Sequence, residues 1–208
     1  MTFNNIIAVC IFLAPFAYSP GPGVMFFAVN TARSGFKKTL PAIAGYHIGI
    51  VVFTFCFGLG FDFFVSRFEL ILDILKYLGS LYVLYIAFKI IKAGFGSDSK
   101  GESGITFFNG MIFIFLNPKV HIVITLMYTK FNDLGNMNTL IYTLILTIIF
   151  SINNLISVLI YSLSGNAIGN IGNNKISKFR DAFFGLSLVL IAIWMMDVVE
   201  LVKKLFFT

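Results

Sequence analysis

Lys119 is the residue whose chemistry asks for explanation first. It stands in FFNGMIFIFLNPKVHIVI, near the middle of an otherwise apolar run. A lysine at that depth in a bilayer costs on the order of 3 kcal/mol unless it meets a partner or a wet cavity. No Asp or Glu lies at comparable depth in the other apolar runs, so an anion supplied from outside the chain is a natural counter-ion. Two other readings stay open. The side chain can snorkel to an interface, or it can bind carbonyls left unpaired by a neighbouring broken helix.

The residues before Lys119 sharpen the question. Asn117 and Pro118 interrupt the run, and 96 residues earlier Pro20, Gly21, Pro22 and Gly23 interrupt the first one in YSPGPGVMFF. Proline donates no backbone hydrogen bond, and glycine weakens a helix. Pro22 and Pro118 both suit the first position of a new half-helix, and Asn117 suits an N-cap. Each half-helix would aim free N–H groups and a positive dipole end into the membrane, which is anion-binding chemistry. Backbone broken at this depth must be buried in protein or line a cavity.

Tyr18, His47, His121, Asn153 and Asn154 are further polar groups inside apolar runs. Either histidine could carry a proton or simply hydrogen-bond a neighbouring helix. The asparagines line a path or bridge helices. Tyr18, His47 and Asn153 join Pro20, Gly21, Pro22, Gly23, Asn117, Pro118 and Lys119 as candidate substrate contacts. Cys10 and Cys56 lie in separate apolar runs and form no CxxC pair, so no metal site, redox relay or cofactor is expected.

The elements that must carry these residues follow from composition. The 208 residues are 58% hydrophobic and 12% charged, with a mean hydropathy of +0.93. That excludes a soluble domain and predicts an all-α multi-pass membrane protein. The runs are long and lack the alternation of a β-barrel. Six spans are predicted: about Phe3 to Thr31, Leu40 to Val65, Phe68 to Lys92, Ile105 to Phe131, Asn138 to Leu163 and Phe179 to Leu201. The first is expected to remain in the membrane, because no Lys or Arg precedes it and prolines stand where a cleavage pattern would.

Three spans per half reverse sidedness. The chain therefore reads as one transmembrane domain, residues 1–208, made of two inverted three-helix repeats, about 1–94 and 105–208, each with a broken first helix. Paired breaks in inverted repeats mark a transporter's midplane site. Arg33, Lys37, Lys38, Lys89, Lys92, Lys100, Lys175, Lys178 and Arg180 fall on one side. Only Arg67, Lys76, Lys130, Lys203 and Lys204 fall on the other. The excess of positive charge belongs in the cytoplasm, which puts both termini outside. The same placement accounts for the net charge of +6 without nucleic acid. Gly45 and Gly49 form a small-xxx-small face for helix packing.

With these motifs in order, the chain resembles the LysE/RhtB family of amino-acid exporters, the lysine and homoserine–threonine efflux translocators. SPGPGVMFF, SGFKKTLPAIAGYHIGI, LKYLGSLYVLYIAFKIIKAG and FFNGMIFIFLNPKVHIVI carry the resemblance over nearly the whole chain. It implies a non-enzymatic inner-membrane protein that exports amino acids or related zwitterionic solutes by secondary transport, with H+ as the expected coupling ion. It carries the family's signature turns onto Pro20, Gly21, Pro22, Asn117, Pro118 and Lys119. The expected partners are a small amino acid and the lipid bilayer, with a homo-oligomer left open. The alternatives are a heavy-metal cation exporter, a membrane thiol–disulfide carrier, an intramembrane hydrolase or a structural subunit. The metal reading requires converging soft or anionic ligands, and the thiol reading requires a reactive cysteine pair.

Overall fold

Proline decides where the first apolar run breaks. In the computed structural model, which describes residues 3–95, 105–131, 138–170, 178–179 and 182–193, α1 (Phe3–Tyr18) stops three residues short of α2 (Pro22–Ser34). The two are bent by 56°. Pro22 opens α2, where its missing N–H is no loss, after Gly21 in an extended conformation. A single residue, Gly35, then turns the chain into α3 (Phe36–Leu59). Its φ of +84° is a left-handed geometry that disfavours any residue with a Cβ. Asn166 Oδ1 accepts the Phe36 N–H at 3.0 Å and holds this corner.

The short α4 (Phe61–Ser66) and the long α5 (Phe68–Phe95) complete the first half. In the second half, α6 (Phe107–Phe115) begins with a capping box between Thr106 and Asn109. It is bent by 59° from α7 (Pro118–Lys130), which starts on Pro118. The unbroken α8 (Thr139–Gly169) and the apolar α9 (Ala182–Ile193) follow.

The described residues are helical, without strands. Three helices are long and apolar enough to cross a membrane, and up to five spans result if each bent pair counts as one. Both breaks expected from Pro22 and Pro118 are present. The predicted second span is divided at Gly60, whose N–H closes α3 on Cys56 O before α4 begins. α3 also starts earlier, and α8 ends later, than predicted. Hydropathy marks the apolar part of a helix, whereas the polar turns around Lys37 and Asn166 remain helical. The sixth predicted span beyond Ile193, and the charges Lys100, Lys175, Arg180, Lys203 and Lys204, lie outside the described residues.

Packing is closest where backbone meets backbone. α8 lies along α2, and α6 along α3. A Cβ on Gly45 would sit 2.0 Å from Phe107 O, and one on Gly110 would sit 1.9 Å from Ala42 O. Gly165 and Gly169 press in the same way on Ala28 O and Ala32 O. Small residues permit this approach where lipid supplies no hydrophobic drive between helices. Phe26 of α2 stacks on Phe113 of α6 at 4.4 Å, joining the two halves. Gly45→Ala is expected to cost about 1–3 kcal/mol by forcing α3 from α6, read as a lowered melting temperature in detergent. Gly60→Ala, whose Cβ would meet its nearest neighbours at 3.4 Å, is expected to stay near wild type.

Candidate functional site: a cavity between two broken helices

A helix that ends inside a membrane leaves carbonyls without partners. At the end of α1, three consecutive carbonyls receive side-chain donors from the second half of the chain. Ser157 Oγ donates to Ala17 O at 2.6 Å, and Tyr161 Oη donates to Tyr18 O at 3.0 Å. Lys119 Nζ donates to Ser19 O at 2.8 Å and to Ser19 Oγ at 3.0 Å. Of the readings left open for Lys119, the contact with unpaired carbonyls of the broken helix is the one present. An ammonium has three donors, and these two bonds leave one.

The second break closes on itself. Asn117 O accepts from the Val120 N–H at 3.1 Å, and His121 Nδ1 lies 2.9 Å from the same oxygen. His121 is buried, with its ring 4.5 Å from that of Phe53. Asn117 holds the N-cap position, yet its side chain makes no cap bond. Its Oδ1 is buried without a partner.

The two breaks lie side by side. A Cβ on Gly21 would meet Lys119 Cδ at 2.8 Å and Nζ at 2.9 Å. One on Gly23 would meet Tyr46 Oη at 2.9 Å and Asn117 Nδ2 at 3.0 Å. Between them is a cavity of about 430 Å³ that includes space open to the outside. Its polar lining comes from Tyr46, Asn117, Lys119, Asn153 and Asn154, beside Gly21 and Gly23. Leu13, Phe16, Val24, Val120, Val123 and Phe150 supply apolar walls. Gly23 and Val24 are the first residues of α2 with N–H groups, and helix geometry gives these no partner within α2.

The sequence-derived candidates divide accordingly. Gly21, Gly23, Asn117, Lys119 and Asn153 line the cavity. Pro22 and Pro118 start the two half-helices and are buried, outside the cavity lining. Pro20 and Tyr18 are exposed at the break, and Tyr18 contributes its carbonyl there. His47 points elsewhere: its Nδ1 lies 3.0 Å from Ile43 O. Its neighbour Tyr46, not singled out from the sequence, is 1% exposed and faces the cavity. The GYH triplet contained the signal, since a tyrosine beside a packing glycine carries a hydrogen-bonding group at depth.

A partly open cavity between two interrupted apolar helices is the arrangement in which transporters hold their cargo. The chain belongs to the LysE type translocator family, which it matches over residues 14–197. It is 26% identical over 178 residues to the leucine efflux protein of Salmonella typhimurium, covering 82% of this chain and 84% of the relative. The leucine efflux protein of Salmonella typhi matches to the same extent. The cysteine/O-acetylserine efflux protein of Salmonella choleraesuis is 26% identical over 105 residues, 50% of this chain and 53% of the relative. No solved structure matches.

Leaving the end of α1 without its donors should be measurable. Ser157→Ala orphans the half-buried carbonyl of Ala17 and is expected to cost about 1–3 kcal/mol. Lys119→Met should lower the melting temperature in detergent more than Ser19→Ala, because only the former strips the Ser19 carbonyl of its donor.

Proposed function

We propose that this chain exports an amino acid, preferentially one with an apolar side chain, across the cytoplasmic membrane. The observation that carries the reading is the meeting of both half-helix starts and Lys119 in one cavity with apolar walls. A carboxylate there would face the Gly23 and Val24 N–H groups and the remaining Lys119 donor, which is favourable electrostatics at a helix start. Leu13, Val24, Val120 and Phe150 offer an aliphatic side chain a dry surface. The efflux relatives named for leucine and for cysteine and O-acetylserine support the same class.

The transport cycle follows from the paired breaks. The halves, about 1–94 and 105–208, form two inverted repeats of three spans and rock about the cavity, exposing it to one side and then the other. The basic residues of the richer side, Lys37 and Lys38 at the start of α3 among them, lie in the cytoplasm, and both termini lie outside. Export is secondary-active, with H+ as the coupling ion. A lysine with neighbouring amides also supports a zwitterion over a metal cation, which would be better held by thiolate, imidazole or carboxylate ligands.

Counterflow in proteoliposomes tests this function. Vesicles loaded with unlabelled leucine should accumulate labelled leucine from outside, with lysine competing at least about tenfold less well, a pocket-contact difference of ordinary size. Lys119→Met and Gly23→Val should each reduce exchange at least about tenfold in protein that remains monodisperse, a loss equivalent to about 1.4 kcal/mol. Exchange unchanged by both substitutions would remove the cavity from the transport path.

A further inference from the structure

Two residues that line this cavity each carry a buried side-chain amide oxygen without a donor. Asn117 is 2% exposed, and its Oδ1 is buried and unpartnered. An N-cap asparagine ordinarily turns that oxygen onto the first N–H groups of its own helix. Here it forgoes the cap bond. Asn154 likewise has a buried Oδ1 without a partner. The two side-chain amides flank the Tyr46 phenol, and all three residues line the same cavity.

A buried acceptor left unpaired is costly, and two of them in one cavity call for a ligand that donates. A carboxylate has only acceptors to offer and is wrong for this corner. An ammonium is all donors, three of them, and is right for it. We infer that the Oδ1 atoms of Asn117 and Asn154 receive the substrate's α-ammonium group, and that this pair selects amino acids against the corresponding hydroxy and keto acids. Asn117 thus serves the amino end of the substrate, while the α2 start and Lys119 serve its carboxylate.

Asn153, the other asparagine in the lining, has its amide nitrogen engaged. Its Nδ2 donates to Ile149 O at 3.3 Å and lies 3.8 Å from Cys10 Sγ. Of the two neighbours, it is Asn154 whose Oδ1 is buried without a partner. The assignment rests on the amino-acid reading of the cavity but adds a discrimination that reading does not require. Loss of one hydrogen-bonding group from a substrate is strongly penalised by a site whose own polar groups are then left bare.

The experiment separates binding from transport. Binding of leucine and of 2-hydroxy-4-methylpentanoate to the purified full chain is measured in detergent, and leucine counterflow is measured in parallel. Leucine is expected to bind at least about tenfold more tightly than the hydroxy acid. Asn154→Leu should bring the two affinities within about threefold. Asn154→Asp, which keeps the acceptor, should retain the preference and guards against a folding defect in the leucine variant. A wild-type protein that binds both acids equally, or an Asn154→Leu protein with the wild-type ratio, overturns the assignment. Selective leucine binding without counterflow would instead overturn the carrier reading and leave the asparagine assignment supported.

Discussion

The carbonyls of Ala17, Tyr18 and Ser19 are the constraint on which the arrangement turns. Lipid cannot hydrogen-bond them, so a helix that stops at Tyr18 survives only if protein supplies donors. The donors come from across the molecule: Ser157 and Tyr161 of α8, and Lys119 of α7. The first half is therefore completed by the second. The cost of placing a lysine at this depth is offset by the dipole end it caps, because a cation beside a helix C-terminus is favourably placed. One contact thereby accounts for both the charge and the break.

The two breaks occupy matching places in their halves but are built differently. The first takes its donors from distant segments. The second is closed by its own next turn, through Val120 and His121. The Val120 N–H, which an N-cap side chain would otherwise reach, is bonded to Asn117 O, and the Asn117 side chain is left out of the cap. The second break also brings Lys119 across to Gly21, which has no Cβ in the way. The cavity is the space left where the two half-helix starts cannot pack on each other.

Much of this was legible in the sequence, and the limits have a physical cause. Proline has position-specific chemistry, so Pro22 and Pro118 located both breaks. A lysine in an apolar run marked the depth of interest. What could not be read was the rotation of each helix. α3 and α8 are apolar nearly all round, so their sequences carry little information about which face turns inward. Asn153 and Asn154 both stand out as polar groups in an apolar run and both line the cavity, whereas His47 stands out but its neighbour Tyr46 presents the phenol there. Ser157 and Tyr161 carry no local signature at all, because their partners lie some 140 residues away in the chain.

The glycine contacts have a mechanical corollary. Where Gly165 and Gly169 touch the α2 backbone, and Gly45 and Gly110 link α3 with α6, the helices meet backbone to backbone, with little side chain between them to change rotamer and absorb a displacement. Such helices cannot loosen gradually; they remain seated or they separate. α2 is yoked to α8 in this way and α6 to α3. Slack is then left at the joints near Ser19 and Leu116, the two places where helical continuity is already lost. In the proposed transport cycle the articulation and the polar interior would coincide, and whatever occupies that interior would sit on the hinge itself.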